Sequence, residues 1–183
     1  QPDAIAASWS QNRIDAAFIW SPVLDELKKD GQIIVSSGEL AKLGKPTFDG
    51  MIVQKKFAAE HQEFMEQFVS VLASADQDYR EAGQNWSSDS TEIQAIATLS
   101  GASPEIIPKI LKQYHFPNLE EQTSKGWLGG GIGEGAARAL YDTSVFLKNQ
   151  GKIETVQESY TSFINPSFAQ VAKDILTAPP DER

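Results

Sequence analysis

The sequence predicts an α/β fold, with a few buried strands near the start of the chain and helices through most of the remainder. The first sign is the stretch Ile14-Asp15-Ala16-Ala17-Phe18-Ile19-Trp20-Ser21-Pro22. Residues 16 to 20 are an apolar run of strand length. Ser21-Pro22 then offers a helix N-cap and a residue suited to the first helical position. The second sign is a β-branched run over 32–36, followed by an alternating run over 48–54 in which Met51 and Val53 oppose Ile52. The third is the helical spacing of apolar residues after Lys55. It is clearest over 61–82, where Phe64, Phe68, Val71, Leu72, Ala75 and Tyr79 form one face. Three strands beside so many helices make a small sheet for a complete α/β domain.

In chain order, residues 2–12 read as a helix because Ile5, Trp9 and Asn12 recur at helical spacing. A strand over 15–20, a helix over 22–30 closed by Gly31, and a strand over 32–36 follow. Ser37 to Leu43 is a short helix ended by Gly44, Lys45-Pro46 is a turn, and 48–54 is the third strand. The long helix 61–82 stops at Gly83, and Ser87 to Ser90 is a polar link. The next helix, 90–100, stops at Gly101. Ser103-Pro104-Glu105 opens another, with Ile106, Ile107, Ile110, Leu111 and Tyr114 on its core face. Pro117 to Ser124 reads as a loop, 126–135 as a glycine-rich segment, and 135–150 as a helix closed by Gly151. Two short helices, 154–164 and 166–176, precede a frayed tail over 177–183.

Composition sets limits. Among 183 residues there is no cysteine, which excludes disulfides, thiolate metal sites and cysteine nucleophiles within this chain. The net charge is −9 and no Lys/Arg cluster stands out, which argues against nucleic acid and anionic membrane as partners. Neither His61 nor His115 sits in a cluster with metal-ligand spacing. No apolar run approaches the roughly 18 to 20 residues of a membrane span. Gly131-Ile132-Gly133-Glu134-Gly135-Ala136 fits G-x-G-x-x-A, but no convincing strand precedes it and no βαβ unit follows, so a nucleotide role is not supported. Asn85-Trp86-Ser87 fits the glycosylation sequon, which reads as chance.

An ordered series of short motifs resembles a known family. It begins with Pro2, Ala4-Ile5, Trp9, Ile14 to Pro22, Leu27 and Asp30-Gly31. It runs on through Gly44-Lys45-Pro46-Thr47-Phe48-Asp49, Lys56-Phe57-Ala58, Leu99-Ser100-Gly101 and Glu121-Gln122. It ends with Lys125 to Gly131 and Phe146 to Lys152. Each motif is weak alone; together, in this order, they resemble the taurine-binding periplasmic proteins of ABC importers, within the aliphatic sulfonate, nitrate and taurine solute-binding family. The resemblance implies a type II periplasmic-binding-protein-like α/β fold that lacks much of the first lobe here. Residues 1–54 would finish the second lobe and hold the candidate site. Residues 55–183 would be a mainly helical segment returning towards the first lobe. The implied function is capture of taurine, or a related small sulfonate, in an interlobe cleft and delivery to a membrane permease. No cofactor, metal or enzymatic activity is implied. The implied location is periplasmic, or extracytoplasmic and lipid-anchored in a Gram-positive organism.

Four residues are candidate ligand contacts. Asp49 opens an apolar strand, where Asp is disfavoured. With Phe48 beside it, it offers a carboxylate and an aromatic face, a pair that suits an ammonium group. The plain alternative is an Asp that bonds nearby backbone amides. Trp20 stands where a strand runs into a helix N-terminus, a usual ligand position in α/β proteins. It would wall the carbon chain, or simply pack in a core. Ser21 would donate to a sulfonate oxygen, or only cap its helix. Trp127 with Gly129-Gly130-Gly131 reads as close packing rather than a cleft contact. Two rivals remain. One is a binder of another alkanesulfonate or small anion, for which Asp49 would be a desolvation cost. The other is an enzyme on the same fold, such as a desulfinase or a thiamine-pyrimidine synthase, expected to use Cys or His at the reacting centre.

Overall fold

The computed structural model describes residues 1–178, so the expected tail lies outside the described residues from 179 onward. Helices make up 56% of the structure, and among the described residues no strand is present. The helices are α1 (Pro2–Ser10), α2 (Val23–Leu27), α3 (Ser37–Lys42), α4 (Lys55–Glu60), α5 (Gln62–Ala82), α6 (Thr91–Ser100), α7 (Ile107–Leu111), α8 (Leu119–Thr123), α9 (Gly135–Asn149) and α10 (Ser167–Thr177).

The helix-rich half of the expectation is seen, while the expected sheet is not confirmed among the described residues. Residues 15–20, 32–36 and 48–53 lie outside regular structure. Ile34 is 89% exposed and Ile52 is 93% exposed, so the alternation over 48–54 buries neither face. The physical reason is that a strand exists only as one side of a ladder. Among the described residues these runs find no ladder partner, so β-propensity alone does not make them strands.

Two units emerge from the internal contacts, and neither is a continuous stretch. One comprises Gln1–Gly44 with Gln84–His115; the other comprises Lys45–Gly83 with the chain from Phe116 onward.

In the first unit, α1 packs on α2, and α6 packs on α7. The core holds Val23, Leu27, Ile107 and the fully buried Ile93. The Trp9 indole N–H donates to Asp30 at 2.9 Å, tying α1 to the turn after α2. A Cβ on Gly31 would come within 2.9 Å of the Trp9 ring and 2.7 Å of the Leu27 carbonyl, so only glycine fits there. Helix α2 starts at Val23, one residue later than expected, and Ser21 does not cap it. Helix α3 has a capping box: the Ser36 hydroxyl accepts from the Glu39 amide, and the Glu39 carboxylate accepts from the Ser36 amide at 2.7 Å. Those bonds from Ser36 hold the Glu39 carboxyl below its usual range. In α7 the helix begins at Ile107 with Pro108 in its first turn, so Ser103-Pro104 forms the preceding turn instead.

In the second unit, α10 packs on α5 and α8, and α4 packs on α5. The buried residues are small: Ala73 on α5, Ala136 and Ala137 on α9, Ala169 and Ala172 on α10, with Met65 and Tyr79 as the large ones. Small side chains let helix axes approach closely. The Tyr79 ring meets Phe116 edge-on at 4.8 Å, and Arg80 donates to the carbonyls of Phe116 and Pro117 at 3.4 Å. The expected loop over 117–124 contains α8, set by an Asn118–Glu121 capping box. The expected helix over 154–164 is reduced to a single 3-10 turn, Thr161–Phe163.

Candidate functional site

Trp20 and Ser21 fall in the first unit, Phe48 and Asp49 in the second. Each pair is built by its own surroundings. The Trp20 carbonyl accepts the Leu24 amide at 3.0 Å, which anchors the backbone at the start of α2, while the side chain is 56% exposed. Ser21 is buried, and its hydroxyl donates to Gln113 Oε1 at 3.0 Å. A ligand could take that hydroxyl only by displacing Gln113.

Asp49 is exposed, and among the described residues its carboxylate makes no hydrogen bond or ion pair. The backbone-amide partners that would make it a turn residue are not there. The Phe48 ring lies over the next residue but one: a Cβ built on Gly50 would be 3.8 Å from Phe48 Cε2. Phe48 is itself half-exposed. Asp49 thus carries a carboxylate with no hydrogen-bond or ion-pair partner among the described residues, and its chain neighbour Phe48 carries a half-exposed ring.

The segment carrying them is tethered at both ends. On one side the Lys45 ammonium donates to Asp142 Oδ2 at 3.1 Å. Arg138 Nε reaches the other oxygen, Oδ1, at 2.9 Å. The hydrogen bond from Lys45, with the charge of Arg138, holds the Asp142 carboxyl below its usual range. On the other side, the Lys55 ammonium lies 5.3 Å from the centre of the Phe163 ring. Sequence reasoning missed this arrangement. Arg138 and Asp142 are visible as an i,i+4 pair on α9, but nothing links them to Lys45, 97 residues earlier.

The glycine-rich segment packs backbone on backbone. A Cβ on Gly130 would clash with the Glu134 and Lys125 carbonyls, and one on Gly135 with the Trp127 carbonyl. The Trp127 carbonyl accepts the Ala136 amide at 2.8 Å, seating the start of α9. Two depressions lie in the second unit. One, of about 360 Å³, is bordered by α5, α8 and α10; the other, of about 220 Å³, is lined by Ile132, Arg138, Tyr141 and Tyr160. Neither is lined by Phe48 or Asp49. Among the described residues no cluster of three or more His, Cys, Asp or Glu could hold a metal ion. Among the same residues no helix is long and apolar enough to cross a membrane.

Comparison with known proteins gives the class: the chain is homologous to binding proteins for sulfonates. It is 32% identical over 170 residues to the taurine-binding periplasmic protein of Escherichia coli (strain K12), a match that covers 93% of this chain and 51% of that protein. It is 36% identical over 76 residues to the putative aliphatic sulfonates-binding protein of Bacillus subtilis (strain 168), covering 41% of this chain and 22% of that protein. The chain thus spans about half the length of its E. coli relative. No family model matches. The resemblance carried by the ordered motifs is a true homology.

Proposed function

We propose that this chain is part of the solute-binding component of an ABC importer, and that its ligand is taurine. The observation that carries the reading is the Asp49 carboxylate, exposed and without a partner among the described residues, on the residue that follows Phe48. Taurine is a zwitterion with an ammonium at one end and a sulfonate at the other. The ammonium would pair with Asp49 and lie near the Phe48 ring, where the ring quadrupole adds about 0.5–2 kcal/mol. Trp20 is proposed separately as an apolar wall for an alkyl chain, and Ser21 as a sulfonate donor once it leaves Gln113. In the full-length protein, residues 15–20, 32–36 and 48–53 are proposed as strands of an α/β sheet. The ligand-loaded protein would dock on a membrane permease from the extracytoplasmic side. No cofactor enters this reading, and binding rather than catalysis is its activity.

A second reading is favoured by the B. subtilis relative: an aliphatic sulfonate without an amine. Thermal unfolding of the full-length protein separates the two. Taurine at a hundredfold excess over its Kd is expected to add about 2.7 kcal/mol of stability. Ethanesulfonate at the same concentration is expected to add much less, because it leaves Asp49 unpaired. Equal stabilisation by both would overturn the taurine reading in favour of the aliphatic sulfonate.

A further inference from the structure

The segment between Lys45 and Lys55 has little to hold it. Among the described residues no hydrogen bond involves residues 46–53. Met51 and Ile52 are largely exposed, so apolar packing restrains them weakly. A carboxylate on such a segment would sample many positions, and a ligand that needs it in one place must order it on binding. What limits the sampling is the contact at each end.

At the first end, Asp142 is held by two cations on its two oxygens, Lys45 at 3.1 Å and Arg138 at 2.9 Å. Arg138 sits one turn before Asp142 on α9, so it fixes the carboxylate against its own helix. The free oxygen is then presented to Lys45. Pro46 follows at once; its ring fixes its own φ and confines Lys45 to extended backbone. From Lys45 to Asp49 is four residues, a reach of at most about 14 Å. A tether at Lys45 therefore narrows the volume open to Phe48 and Asp49.

We propose that Asp142, oriented by Arg138, is a positioning residue: by gripping Lys45 it holds Phe48 and Asp49 in place for the ammonium end of the ligand. The proposal rests on the reading of Asp49 as the ammonium partner. As a largely exposed ion pair, Lys45–Asp142 contributes little to global stability. Its effect falls instead on the cost of ordering one segment, and only a ligand that uses Asp49 feels it.

The test is calorimetry on the full-length protein with taurine and with ethanesulfonate, together with thermal unfolding of each variant. Lys45→Met and Asp142→Asn are expected to weaken taurine by about three- to tenfold. Ethanesulfonate is expected to change far less, the unfolding temperature to stay close to wild type, and Lys45→Arg to restore taurine binding. If Lys45→Met and Asp142→Asn leave taurine untouched while Asp49→Asn weakens it, the positioning role is overturned and the ammonium reading stands. Equal weakening of both ligands, with a fall in unfolding temperature, also overturns it, because the pair is then merely structural. If Asp49→Asn itself leaves taurine unchanged, the ammonium reading falls and the positioning role with it.

Discussion

Asp142, Asp76 and Asp49 are the same residue in three surroundings. Asp142 accepts from two cations and its carboxyl is held low. Asp76 is half-buried on α5; burial raises its pKa, and the nearby Arg80 only partly opposes that. Asp49 has neither burial nor partner. Asp76 gives a pH prediction. Its folded-state pKa lies above its unfolded value, so the unfolded chain loses its proton first as pH rises. Its contribution to stability is therefore most favourable below the unfolded carboxylate range, and it declines as pH rises through the folded pKa. Asp76→Asn should raise stability at pH 7 by less than about 1 kcal/mol, since the site is partly solvated. The gain should vanish under acid. Thermal unfolding of both proteins across that range is the check; an Asn variant less stable than wild type at neutral pH would mean that Arg80 outweighs burial. Of the three, only Asp49 is conspicuous in the sequence, because Asp is out of place beside an apolar run. The surroundings of Asp76 and Asp142 depend on residues far along the chain.

At the scale of elements, what the sequence states locally is what the structure keeps. Helix α5 spans Gln62–Ala82 against the expected 61–82, but of its expected face only Tyr79 is buried: Phe64, Val71 and Leu72 are exposed, and Met65, Ser70 and Ala73 are buried instead. Gly44, Gly101 and Gly151 follow helix ends with positive φ, as C-terminal glycines do. Helix α8 was legible in principle, since Asn118 and Glu121 stand at capping-box spacing, but five polar-rich residues resemble a loop. The expected helix over 154–164 has Val156, Tyr160, Phe163 and Ile164 at helical spacing, yet only the 3-10 turn Thr161–Phe163 forms there. Strands differ in kind: their stability lies in a partner, which no local pattern supplies. If residues 32–36 and 48–53 are strands of a completed sheet, the amides of Ile34 and Ile52 should exchange at least about a hundredfold more slowly than random coil in the full-length protein. Hydrogen exchange resolved at those amides measures this directly. Exchange at coil rates would show that the segments stay unpaired there too.

For the molecule as a whole, homology carries more than any single site. A match over 93% of the chain ties it to a taurine-binding protein, while the chain spans about half of that relative. The order of weak motifs made this legible before any coordinate, because order along a chain is itself specific. The grouping of residues into two discontinuous units was not legible, since it rests on contacts such as Ser21 to Gln113 and Lys45 to Asp142. The charge of −9 bears on ligand choice. A zwitterion carries no net charge and is not repelled at long range, whereas a simple anion is. In the proposed reading recognition of taurine would be local, with the weight on Asp49. Calorimetry of taurine binding to the full-length protein, wild type against Asp49→Asn, tests this most directly. Asp49→Asn is expected to cost about 2–5 kcal/mol of taurine binding, with ethanesulfonate binding no worse than before. Taurine bound equally well by both proteins would contradict it.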